Sequence, residues 1–249
     1  MQLHKQIFLR KYSILLNSAI NRFINFFSVI ILLLSISITQ VLAIESSNIK
    51  EYGIVVLLEE KCTKEAEKLN INISQVLSHL QNVKNYWHVT LYHGAYEINS
   101  LDEIYNKLQE LQLRPFTLNL TKIYSTADRW IDLGIEKTEY LQNLHTSVVL
   151  LASPYHKRPL VRSTDIYKDM TSSQREQVDN YGVSGILTMY NPHMTLFYQY
   201  PPSFELQQTA IKIGNNFTNI VCKASKIALG ELGYNGNIEK IIYSINIPN

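Results

Sequence analysis

Cysteine is scarce in this chain of 249 residues: there are two, Cys62 and Cys222. No Cys-x-x-Cys pair and no His/Cys cluster occurs, so the sequence offers no zinc site, and no metal or other cofactor is expected. The two cysteines could form a disulfide in an exported protein. Sequence alone does not bring their Cα atoms within bonding reach. Acidic residues are missing from residues 1–43, which hold Lys5, Arg10, Lys11 and Arg22. The whole chain carries +2, and those four basic residues leave residues 44–249 with −2. That excludes a surface built to grip many phosphates, so duplex nucleic acid is not an expected partner. A local basic patch could still hold one small phosphate ester.

Charge of either sign is absent from "FINFFSVIILLLSISITQVLA", residues 23–43. A basic lead, an apolar stretch and a small closing residue predict a signal peptide cleaved after Ala43. The alternative is an uncleaved anchor, because the stretch is nearly long enough to span a bilayer. Either reading exports the rest of the chain, to the periplasm or beyond, and confines membrane contact to residues 24–43. No cysteine closes the stretch, so lipidation there is not expected. Residues 44–249 suffice for one large domain or two small lobes with a proper core.

What is present is a short pattern written twice. "WHVTLYHG" occupies residues 87–94 and "PHMTLFYQ" residues 192–199, which sets His88 and His193 105 positions apart. Each His is followed two residues later by a Thr, within an aromatic-rich run that reads as a strand. Around them the chain reads as a buried strand at 52–60 and a helix at 63–81, broken near Asn70–Asn72. The first motif strand follows at 86–96. A helix at 99–112 opens with Ser100 and Glu103 as a capping box. Strands at 116–125 and 129–136 read as a hairpin, followed by a helix at 138–152. A polar stretch at 153–182 has a short helix from Thr171, with Gln174 at its third position. The second motif run covers 186–200, interrupted at Asn191-Pro192. A helix at 203–217 and strands at 221–232 and 240–247 close the chain. This is an α+β order, read here as two similar lobes with one His-x-Thr strand each. The halves share no detectable identity outside the motif.

Side chains alternate along a strand, so His88, Thr90 and Tyr92 should share one face, and His193, Thr195 and Phe197 the corresponding one. The opposite faces carry bulky apolar residues suited to a core. By the same parity His93 falls opposite His88, as a packed or rim residue. A His and a Thr at this spacing sit roughly 7 Å apart, one able to move a proton and one to grip an oxygen beside it. Two such pairs across a cleft suit phosphodiester chemistry. A neutral imidazole takes a proton from the attacking oxygen while an imidazolium gives one to the leaving oxygen. Histidine's ordinary pKa of ~6.5 lets both forms coexist. Hydroxyls hold the non-bridging oxygens, and no metal is needed.

In these features the chain resembles the two-histidine (2H) phosphoesterase superfamily, which includes the bacterial 2′-5′ RNA ligase-like proteins and cyclic nucleotide phosphodiesterases. The resemblance covers residues 50–248 and rests on "HVTLYHG" and "PHMTL", more weakly on "RWIDLGIEKTEYLQNLH". It implies a bilobal α+β fold with a central cleft, His88 and His193 as acid and base, and Thr90 and Thr195 on the phosphate. The implied substrate is a nucleoside 2′,3′-cyclic phosphate or a short RNA end, handled by a monomer. The alternatives are reversible 2′-5′ RNA ligation on the same fold, and a secreted binding protein without turnover. Tyr92 and Phe197 are candidates for an aromatic wall against a base, with Trp130 and Tyr190 weaker ones. Arg129, Arg158 and Arg162 are candidates for phosphate contact. His145 borders a helix stripe and reads as structural; His156 reads as a solvated loop residue.

Overall fold

The structure, a computed structural model, describes residues 48–77, 86–233 and 235–248. The predicted signal segment, the tail of the first helix at 78–81 and Tyr234 of the last turn lie outside the described residues. Among those described, no helix is long and apolar enough to cross a membrane.

The described residues hold seven strands and six α-helices. The strands are β1 (Ile49–Leu58), β2 (His88–Glu97), β3 (Thr117–Thr126), β4 (Trp130–Ile135), β5 (His193–Tyr198), β6 (Ile220–Leu232) and β7 (Ile238–Asn246). The helices are α1 (Glu60–Val76), α2 (Leu101–Gln109), α3 (Glu139–Ala152), α4 (Val161–Asp165), α5 (Ser172–Tyr181) and α6 (Phe204–Gly214). All strand pairs are antiparallel, in the order β2-β1-β6-β3-β4-β5, with β7 also on β6. The fold is α+β, as the element order predicts.

The strands pair in two groups, each holding one motif strand: β2, β1, β6 and β7 in one, and β6, β3, β4 and β5 in the other. The 13-residue β6 is long enough to serve two groups: Ile220–Lys223 pair with β3, while Ala224–Glu231 pair with β1. The halves of the sequence also interleave, since the last strands join β1 and β2, whereas β3 and β4 join β5. The disulfide Cys62–Cys222, with Cα atoms 5.9 Å apart, ties α1 to β6 beside this changeover. The described residues from Ile49 onward form a single compact unit.

Local signals decide several boundaries. Thr138 caps α3 by accepting from the Leu141 N–H, and Thr171 with Gln174 forms the full capping box on α5. Ser100 does not cap α2: its backbone is helical and its hydroxyl donates to the Glu97 carbonyl of a preceding 3-10 turn. Helix α1 runs unbroken through Asn70–Asn72, because the Asn70 side chain is buried and engaged elsewhere. The β3–β4 hairpin turns at Ala127 and Asp128, both with positive φ, the turn whose twist matches its strands.

Candidate active site

The two motif strands stand at opposite ends of the strand order, yet β2 and β5 touch. One cavity of about 340 Å³ lies between them, lined by His88, Thr90, His193 and Thr195 among others. All four are partly exposed, while the flanking Val89, Leu91, Met194 and Leu196 are buried.

The two rings are held alike. His88 Nδ1 lies 2.9 Å from the Tyr86 carbonyl, and His193 Nδ1 lies 2.8 Å from the Asn191 carbonyl. A carbonyl only accepts, so each Nδ1 carries the hydrogen and Nε2 is the nitrogen left to exchange a proton with a substrate. In both motifs the anchor is the residue two positions before the His.

Each strand then bulges at the same motif position. Ile54 pairs with Tyr92 and Val55 with Thr90, so Leu91 is the extra residue in β2. Ile131 pairs with Phe197 and Asp132 with Thr195, so Leu196 is the extra residue in β5. A bulge reverses the alternation beyond it. This corrects the parity reading of three residues. Tyr92 and Phe197 turn into the core, each 1% exposed. Tyr92 still lines the cavity and donates its hydroxyl to the Tyr181 carbonyl at 2.6 Å; Phe197 does not line the cavity. His93 swings to the site side, and Tyr198, its counterpart in the second motif, does the same. Gly53, paired with His93, is the signal for this: a Cβ there would sit 2.9 Å from His93 Cδ2.

The bulge carbonyls are taken by buried side chains from helices. His145 of α3 donates Nδ1–H to Leu91 O at 2.6 Å, and its Nε2 accepts from the Leu187 N–H at 2.7 Å. Asn70 of α1 donates to Leu196 O at 2.7 Å. Tyr190 stacks on His145 at 3.8 Å between ring centroids and donates its hydroxyl to the Thr90 carbonyl at 2.8 Å. Tyr190 is therefore a brace between the two motifs. Burial pulls the His145 pKa down to about 4, which keeps the ring neutral as both bonds require.

The threonines have different partners. Thr195 donates to Asp132, its neighbour across the β4–β5 pair, at 2.9 Å. Asp132 is buried and also accepts from Thr126 at 2.7 Å. Thr90 faces Val55 across its pair, and its hydroxyl instead lies 3.3 Å from His93 Nε2. His93 Nδ1 meets the Arg162 guanidinium.

Among the other candidates, Trp130 and Arg129 line the cavity, Trp130 packing on Tyr198 at 5.4 Å and Arg129 over the Tyr200 ring. Arg158 lies away from the cavity, paired with Glu51. His156 is half-buried against the Ser153 carbonyl rather than solvated. Among the described residues, no group of three or more His, Cys, Asp or Glu is arranged to hold a metal ion.

No protein-family model matches the chain, and no curated protein matches its sequence. Solved structures do match. TT0787 of Thermus thermophilus aligns with a TM-score of 0.50 at 13% identity, over 79% of this chain and 97% of that one. E. coli LigT complexed with 3′-AMP aligns with a TM-score of 0.48 at 13% identity, over 81% and 99%. Usb1 of Kluyveromyces marxianus aligns with a TM-score of 0.43 at 12% identity, over 81% and 98%. The likeness is one of fold.

Proposed function

We propose that this chain is a metal-independent phosphodiesterase acting on a small phosphodiester, such as a nucleoside 2′,3′-cyclic phosphate or an oligonucleotide end. The observation that carries the reading is the matched anchoring of His88 and His193. Two imidazoles, each fixed through Nδ1 by the carbonyl two residues upstream, line one cavity with Nε2 as the working nitrogen. One takes a proton from water as it attacks phosphorus. The other gives a proton to the ester oxygen as its bond to phosphorus breaks. Both proton transfers are then supplied by side chains, which makes a Lewis acid unnecessary. Thr90, next to the His88 ring, can donate its hydroxyl to the phosphoryl group as charge builds on it, whereas Thr195 lines the same cavity with its hydrogen held by Asp132. Trp130 and Tyr198 offer ring faces beside the same cavity, which suits a base or another flat group.

The disulfide supports a workplace in an oxidising compartment, in keeping with the export segment. The test is incubation with 2′,3′-cyclic nucleotides, 3′,5′-cyclic nucleotides and 2′-5′ oligoadenylates, in excess EDTA, with identification of products. A monoester product formed in chelator supports the reading. Saturable nucleotide binding with no product overturns it.

A further inference from the structure

We propose that Arg162 and His93 form a relay that fixes the Thr90 hydroxyl as a hydrogen-bond donor into the cavity, making both of them positioning residues for the phosphoryl group. The inference rests on the reaction proposed above and assigns two residues outside the His-x-Thr motifs.

The relay follows from counting hydrogens. Arginine has only N–H donors, so its contact with His93 Nδ1 makes that nitrogen an acceptor. A neutral imidazole has one acceptor and one N–H, so His93 Nε2 carries the hydrogen and donates it to Thr90 Oγ1, 3.3 Å away. With its oxygen receiving, Thr90 turns its own hydrogen elsewhere, and the cavity is where a phosphoryl oxygen would receive it. Each hydrogen bond polarises the next, and the guanidinium charge stands at the head of the chain. Thr195 has the opposite polarity, because its hydrogen is held by Asp132.

The surroundings hold the relay in place. His93 is 8% exposed, and Gly53 leaves just the room its ring needs. Gly236, at φ 78° in the turn before β7, lies so close to Arg162 that a Cβ there would strike the guanidinium. The surroundings also favour the neutral ring. Burial, then the charge of Arg162, then His88 and His193 hold the His93 pKa well below its ordinary value.

The test is a double-mutant cycle, read both in turnover and in the dissociation constant of inorganic phosphate. Thr90→Val should weaken both by about tenfold to a hundredfold, the worth of a hydrogen bond to a charged oxygen. His93→Leu and Arg162→Met should weaken both to a comparable or smaller extent. Added to Thr90→Val, neither should cost more than about twofold further; added to Thr195→Val, each should act in full. His93→Gln, which restores an N–H, should recover most of the loss caused by His93→Leu. Should His93→Leu not fold, the partly buried Arg162 gives the same cycle. Additive losses with Thr90→Val, or no change in either reading, would overturn the relay even in an active enzyme. A coupled phosphate cycle in a protein that turns over no ester would support the relay while removing the reaction.

Discussion

The β2 and β5 strands show what the two halves of the site must share and what they need not. Both present a ring held at Nδ1 by a carbonyl two residues back. Both have a bulge directly after the Thr, an aromatic residue sent into the core and a further ring sent to the cavity. Both rely on a helix side chain, His145 or Asn70, to satisfy the bulge carbonyl. They differ in what holds the threonine: a carboxylate for Thr195, an imidazole backed by a guanidinium for Thr90. Proton transfer asks the same of each half. Binding an asymmetric ester does not, and the difference falls on the hydroxyls rather than on the rings.

The largest break in this comparison comes from the shared part. His88→Gln and His193→Gln should each lower turnover of the best substrate by about two to four orders of magnitude. The double variant should be little slower than the slower single one, since residues acting as a unit do not add. Steady-state rates, with circular dichroism to confirm folding, check this.

The seam between the halves comes next. The disulfide closes a loop with a sequence separation of 160 residues, so Cys222→Ala should lower unfolding free energy by about 2–5 kcal/mol. Denaturant titration measures that. Turnover of the folded variant should stay within about twofold, because neither cysteine lines the cavity.

The bulge supports sharpen the comparison further. Asn70→Ala leaves the Leu196 carbonyl buried and unpaired, which should cost about 1–3 kcal/mol. His145 should add a pH signature that Asn70 lacks. Its folded pKa of about 4 lies below the unfolded value of ~6.5, so the unfolded state takes up the proton first. This contribution to stability is complete above about pH 6.5. It is lost as pH falls toward about 4, amounting to at most about 3 kcal/mol. Thermal melts across that window should fall less steeply in His145→Gln than in the parent, and His93, also held neutral, should account for part of what remains.

Much of this was legible in the sequence because it is local. Period-2 runs marked β2 and β5, Thr171 and Gln174 marked a helix start, and the repeated His-x-Thr marked the site. What was hidden depends on register or strand order. A one-residue bulge after Thr90 moved His93 into the site and turned Tyr92 into the core, and alternation cannot foresee a bulge. Asp132 matters because β4 lies beside β5, a neighbour relation that no local pattern encodes. Arg162 was legible as a candidate phosphate contact but not as the partner of His93, which depends on how its polar stretch packs against β2. Gly53, a glycine inside a buried strand, was the one visible hint that something large sits against β1.

The central claim is that His88 and His193 act together, one giving and one taking a proton. The direct measurement is kcat/KM against pH for the parent and the two His→Gln variants on the best cyclic nucleotide. The account predicts a bell-shaped profile whose two apparent pKa values belong to the pair, with one limb missing from the residual activity of each folded variant. An unchanged bell in either variant, or near-native turnover in one that folds, would contradict it.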